Sequence, residues 1–262
     1  EKLKQSISVD PSNKWSFLEL FYLLVGKKDY EAFGYLEEAI KIDENFNEAI
    51  YARVLYYDSI NNCSDVISEI LKIPQTYINA YILNTLAFAY YNCFEVDNAT
   101  KIAKASLEYE ETDRAFYLLG TIASDNEDYT LALYNFNQSL EKNENQKDVL
   151  NSKAWALFDT NKFDEAEYIF LQVLQFDFDQ ESFNQIIQFY LETENFESVD
   201  LFIKESKLKN GKNYMNDTYK IIYLHLINDG KFEFYLNEFM KTYSELEHSW
   251  FNDVFSQYSS KH

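Results

Sequence analysis

Residues 119–140 read LGTIASDNEDYTLALYNFNQSL. Leu119-Gly120 lies in one amphipathic run. Asp128-Tyr129 opens a second, and Ala132, Phe136 and Leu140 follow at the three-to-four-residue spacing of one helix face. One period later stand Ala154, Lys162-Phe163, Ala166, Phe170 and Leu174, and one period earlier Leu86-Ala87, Tyr90, Ala99, Ala103 and Leu107. The segment is thus one copy of a unit of two short helices.

Two ladders fix the register. A small or branched slot reads Ala32, Val66, Ala99, Ala132, Ala166, Val199, and a slot three residues earlier reads Cys63, Val96, Tyr129, Phe163, Phe196, with Tyr30 and Phe232 extending it; successive members stand 33 or 34 residues apart, except for the step of 36 to Phe232. The expected helices are 15–26 and 29–42, 47–60 and 63–73, 76–92 and 95–108, 112–125 and 128–141, 147–160 and 163–176, 180–193 and 196–208, 213–229 and 231–243. From Tyr243 on, Leu246, Trp250, Val254 and Tyr258 give one more amphipathic helix, suited to covering the end of the last pair. A single domain over 1–262 is expected, with pairs over 12–243 and a capping helix over 244–258.

Composition agrees. Among 262 residues there are only five Gly and two Pro, Pro11 and Pro74, far too few turn formers for a β-sandwich or a doubly wound α/β fold. Charge excludes other classes: 23 basic against 44 acidic residues leave −21, which argues against sequence-independent nucleic-acid binding. No run approaches the roughly 20 apolar residues of a membrane span. Tyr and Phe number 22 each, an excess in line with an A/T-rich codon bias. The chain starts at Glu1 rather than Met, which points to a trimmed or processed product. Cys63 and Cys93 are too few for a disulfide scaffold. They read as two thiols in a reducing, cytoplasmic setting, with a bridge between neighbouring turns the alternative.

The repeat resembles the tetratricopeptide repeat family over nearly the whole chain, most specifically around Leu119-Gly120 and Ala154. The resemblance implies an all-α, right-handed superhelical solenoid of about seven antiparallel pairs, with the first helix of each pair lining a concave groove. Family members often close the second helix with Pro. Here those places hold Glu44, Glu111 and Glu144, so polar residues set the turns.

No catalytic constellation is present, and the chain does not read as an enzyme. His225, His248 and His262 have no partner at metal-ligand spacing. Asp177-Phe178-Asp179-Gln180-Glu181 lacks the central Gly and closing Glu of a calcium loop, and the five glycines form no phosphate loop. Neither cofactor nor metal is expected. The expected function is a non-catalytic scaffold that holds a protein or peptide in the groove. Tyr81, Asn84, Phe88, Tyr91, Arg114, Tyr117, Asn151, Trp155, Phe158, Asn184 and Gln188 are the expected inward residues. Asn84, Asn151 and Asn184 share a slot, and an Asn amide can both donate to and accept from a peptide backbone. The aromatics could form anchor pockets. Because Asp148 and Glu181 accompany Arg114, the basic clamp some family members use for a C-terminal carboxylate is absent, and a basic partner is favoured. Two alternatives stand beside this reading: an acidic immunity- or chaperone-type protein that masks a basic toxin or effector, and a docking domain of a larger protein. The expected state is a monomer or weak dimer that neither binds nucleic acid nor inserts in a membrane.

Overall fold

The structure, a computed structural model, describes residues 2–26, 31–60 and 62–259. Among them it shows sixteen α-helices, one 3-10 turn and no strand. The chain divides into two compact units, Glu1–Asn126 and Glu127–His262. In a repeat array each unit touches only its neighbours, so the apolar interior forms successive clusters instead of one core.

The first unit contains α1 (Lys2–Val9), α2 (Lys14–Val25), α3 (Ala32–Ile42), α4 (Asn47–Ser59), α5 (Cys63–Ile70), a 3-10 turn (Gln75–Tyr77), α6 (Ala80–Asn92), α7 (Val96–Tyr109) and α8 (Asp113–Asp125). Helices α2/α3, α4/α5 and α6/α7 pack as pairs, and each pair meets the next through α3/α4 and α5/α6, with α8 against α7 and α6. The second unit contains α9 (Tyr129–Lys142), α10 (Lys147–Asp159), α11 (Phe163–Phe176), α12 (Gln180–Glu192), α13 (Phe196–Asn210), α14 (Tyr214–Leu226), α15 (Phe232–Thr242) and α16 (Glu245–Ser259). Its pairs are α10/α11, α12/α13 and α14/α15, with α9 on α10 and α16 on α14.

Both ladders have structural meaning. Ala32, Val66, Ala99, Ala132, Ala166 and Val199 are all buried, none above 2% exposed, so the small slot is where helix backbones approach. Cys63, Val96, Tyr129, Phe163, Phe196 and Phe232 are each the first residue of a second helix. Tyr30 and His262 lie outside the described residues.

Polar residues make the turns. Asn13, Asn62, Asn79, Thr112, Asp128, Asp179, Asn195 and Asn213 each cap a helix by accepting from the amide three residues on. Within the pairs the chain reverses through one left-handed residue: Phe94, Glu127, Asn161, Glu194 and Asn228, with φ of 62°, 60°, 61°, 55° and 53°. Their spacings of 33, 34, 33 and 34 residues repeat the sequence period in the backbone. Around them the amides of Glu95, Lys162, Asn195 and Asp229 reach back five residues to the carbonyls of Tyr90, Leu157, Tyr190 and Leu224, at 2.8–2.9 Å. This is the closure that usually recruits Gly.

Three features differ from the sequence expectation. The N-terminal lead is helical: Ser6 Oγ lies 3.0 Å from Ser16 Oγ, and Ile7 packs against the core of α2 and α3. The helix expected over 76–92 begins at Ala80, because Pro74 and the 3-10 turn occupy its start and Asn79 caps it instead. Most consequentially, Cys63 and Cys93 are not free thiols. They form a disulfide with Cα atoms 5.8 Å apart. Cys63 starts α5 and Cys93 caps the C-terminus of α6, and packing of α5 on α6 brings these ends together.

Candidate functional site

In the first unit, the first helices carry a connected row of aromatic rings. Tyr51 of α4 meets Tyr81 of α6 edge-on at 5.9 Å. The Arg114 guanidinium of α8 lies 5.6 Å from the Tyr81 ring and 5.2 Å from that of Phe88, one turn pair along α6. Phe88 in turn lies 6.3 Å from Tyr117. Tyr91 donates its hydroxyl to Asp125 at 2.7 Å, and burial together with that carboxylate pushes its pKa up to about 12. Tyr81 is exposed, while Phe88, Tyr91, Arg114 and Tyr117 are half-buried. The row gives flat apolar faces around one cation, Arg114, which its own cation–π contacts hold. Thr121, in contrast, bonds its own helix at Tyr117 O.

The Asn slot sits elsewhere than an open groove would need. Asn84, Asn151 and Asn184 are 2%, 9% and 5% exposed. Asn84 donates to the Thr112 hydroxyl at 2.8 Å, joining α6 to the cap of α8. Asn184 accepts from Gln180 at 2.8 Å and donates toward Met215 Sδ. Asn84 and Asn184 therefore face the following pair, and their amides serve pair-to-pair contact. The Oδ1 atoms of Asn84 and Asn151 have no hydrogen-bond partner among the described residues.

Second-unit candidates are likewise engaged in packing. Trp155 donates its indole N–H to Gln185 at 2.6 Å and lies 5.3 Å from the buried Phe170. Phe158 packs on Phe163 and Phe189 at 5.4 and 6.1 Å. Gln188 donates to Tyr219 Oη at 2.9 Å, and Tyr219 is fully buried. Asp148 and Glu181 remain exposed.

The same slots continue one pair earlier. Extending the slot of Tyr81, Arg114, Asp148 and Glu181 back one period reaches Glu48. Extending that of Asn84 and Asn151 reaches Tyr51. Both line a cavity of about 320 Å³ between α4 and the start of α6, with Asn47, Ile73, Tyr77, Asn79 and Ile82 completing it.

No cluster of His, Cys, Asp and Glu among the described residues could hold a metal ion. In the Asp177–Glu181 run, Asp177 and Asp179 both face the Lys147 ammonium, at 3.0 and 2.6 Å. This ammonium stands where a calcium loop would gather a cation. His225 packs against Phe232 and Phe255 at 5.1 Å each, a structural environment. No helix among the described residues is long and apolar enough to cross a membrane.

No family model matches the chain, and no curated protein matches its sequence. Solved structures do. A tetratricopeptide repeat protein from Parabacteroides merdae superposes with a TM-score of 0.69 at 15% identity, covering 93% of this chain and 98% of that one. The chain has the tetratricopeptide-repeat fold. This fold also relates it to PilW, described as a widely conserved type IV pilus biogenesis factor, with a TM-score of 0.67, 15% identity, and 80% and 98% of the two chains covered. Against the Cut9–Hcn1 assembly of the anaphase-promoting complex the TM-score is 0.67 at 16% identity over 85% of this chain. There the likeness spans only 45% of the other chain. Within the tetratricopeptide-repeat fold, the aromatic row occupies the first helices α4, α6 and α8.

Proposed function

We propose that the protein is a non-catalytic interaction module that engages a basic protein or peptide through the first-helix face of its N-terminal unit. The observation that carries this reading is the row Tyr51–Tyr81–Arg114–Phe88–Tyr117. Two ring pairs, Tyr51–Tyr81 and Phe88–Tyr117, are joined by the Arg114 guanidinium, yet Tyr81 stays 42% exposed. Exposed, mutually braced aromatics are the residue type that anchors protein interfaces. The net charge of −21 favours a basic partner through long-range steering that weakens with salt. The Cys63–Cys93 bridge supports residence in an oxidising compartment over the cytoplasm.

Capture from the source cells with intact protein and a Tyr81→Ala/Tyr91→Ala variant tests the surface. The variant should lose the captured partner while keeping its helical content and melting temperature within a few degrees. Equal recovery by both forms removes the assignment of this face.

The charge also fits a dedicated masking role, in which the protein neutralises a basic toxin or effector. Stoichiometric binding that protects cells from one basic protein encoded nearby would select this reading over a general scaffold.

A further inference from the structure

The connection between the second and third pairs is unusual within this chain. Helix α5 has 8 residues, against 11 in α3 and 14 in α7. Nine residues then separate Ile70 from Ala80, including the Gln75–Tyr77 turn, where the α7-to-α8 connection has three. The short helix and wide turn leave the 320 Å³ cavity beside α4.

Its lining has a definite chemistry. Asn47 Oδ1 is buried and has no hydrogen-bond partner among the described residues. A buried acceptor without a donor is costly, a cost that a ligand donor would recover. Glu48, the next residue, places an exposed carboxylate at the same cavity. The rings of Tyr51 and Tyr77 line it, Tyr77 being 54% exposed, and Ile73 and Ile82 supply buried apolar surface. No basic residue lines it. The nearest part of the aromatic row holds Arg114, which is stacked on Tyr81 and Phe88.

We propose that this cavity is the pocket for an arginine side chain of the partner, with Glu48 accepting from its guanidinium, Asn47 Oδ1 gaining a donor as its side chain turns toward the cavity, and Tyr51 and Tyr77 lying against it. The methylene stem would rest on Ile73 and Ile82. Arginine suits the pocket better than lysine, because its planar fork can donate to two neighbouring acceptors at once and stack on aromatic rings. The assignment rests on the basic-partner reading above and sharpens it to one contact.

The test uses the full ¹⁵N-labelled chain with the disulfide intact. The probes are an acetylated, amidated Gly-Gly-Arg-Gly-Gly peptide and its citrulline and lysine counterparts. The arginine peptide should give saturable shifts at the Asn47 side-chain amide and at Glu48 and Tyr51. Citrulline, neutral and nearly isosteric, should bind about ten-fold or more weakly, and lysine several-fold more weakly. Glu48→Gln should weaken the arginine peptide about ten-fold without moving the melting temperature, since Glu48 is exposed. Citrulline or lysine binding as well as arginine, or shifts confined to other surfaces, overturns the pocket. Failure of the arginine peptide while Tyr81→Ala/Tyr91→Ala still abolishes capture ends the pocket alone. Failure of the arginine peptide together with equal capture by both forms ends the pocket and the assignment of this face together.

Discussion

At the scale of single residues, the clearest energetic commitment is Arg53. Its guanidinium, with a side chain only 14% exposed, reaches Glu37 of α3 at 3.2 Å and bonds Glu69 of α5, whose side chain is 9% exposed. Lys72 adds a second cation on Glu69 at 2.7 Å. Three consecutive helices thus converge on one ion cluster. Arg53→Ala should cost about 1–3 kcal/mol in urea unfolding, because it leaves the poorly solvated Glu69 carboxylate with Lys72 as its one cation. Adding Glu69→Leu should return a large part of that loss, since no buried charge then lacks its partner. A single variant within 1 kcal/mol of wild type would show that solvent reaches the site. A second residue-scale expectation concerns pH. Desolvation pushes the Asp179 carboxyl up, but Lys147 and the capped Ser182 outweigh it and hold its pKa below the usual carboxylate value. A carboxylate with a depressed folded-state pKa stabilises above its unfolded pKa, and that contribution is lost as pH falls through the folded value. Asp200, held down by Lys204 and Lys220 against desolvation, behaves alike. Stability should therefore decline below about pH 4. Lys147→Ala should flatten the Asp179 part of that decline in melts run from pH 6 to pH 2.

At the scale of elements, the within-pair turns are held by backbone closure at Phe94, Glu127 and Glu194, which disfavour it, and at Asn161 and Asn228, which tolerate it better. A left-handed conformation costs an L-residue roughly 1 kcal/mol or more, and glycine carries no such penalty. Glu194→Gly should raise stability by about 0.5–1 kcal/mol, with Glu194→Ala giving no gain, as read by denaturant midpoint. A loss on Glu194→Gly would mean that the Glu194 side chain contributes more than its backbone geometry costs. The disulfide acts on the same scale. Bridging residues 30 apart in sequence restricts the unfolded chain by about 3–4 kcal/mol in the loop-entropy picture. The Cys63→Ser/Cys93→Ser variant should lose that amount. Addition of reductant should lower the melting temperature of wild type toward that of the variant.

At the scale of the whole molecule, the repeat was legible because it is carried by a buried small-residue slot at six positions and by the first residues of the second helices. Both are set by local periodicity. The helix at 2–9 was missed because it falls before the first repeat and has no ladder to mark it. The shift of α6 to Ala80 followed from Pro74 and Asn79, whose turn and capping roles outweigh the apolar pattern upstream of them. Of the candidate residues, the aromatic ones of the first unit were the more legible. Tyr81, Phe88, Arg114 and Tyr117 come together as their slots imply, whereas Asn84 and Asn184 turn to the next pair and Asn151 is buried, placements that a slot alone does not specify. Trp155 and Phe158 are indistinguishable in sequence from Phe88. All three are half-buried, and Trp155 and Phe158 lie against Phe163, Phe170 and Phe189 of neighbouring helices. The bridge could not be read from Cys63 and Cys93 themselves, since their closeness arises from α5 packing on α6. With −21 overall, partner affinity should fall steeply between 50 and 300 mM salt if the partner is basic.

The most direct measurement places a photo-crosslinking amino acid at Tyr81 in one sample and at Tyr168 in another, and irradiates each in extract of the source cells. Tyr168 is 70% exposed on a second helix and serves as the control. The expected result is a discrete, basic protein crosslinked at position 81 at low salt, diminished at high salt, with no such product from position 168. Crosslinking from 168 with none from 81 would contradict the assignment of the first-helix face of the N-terminal unit as the working surface.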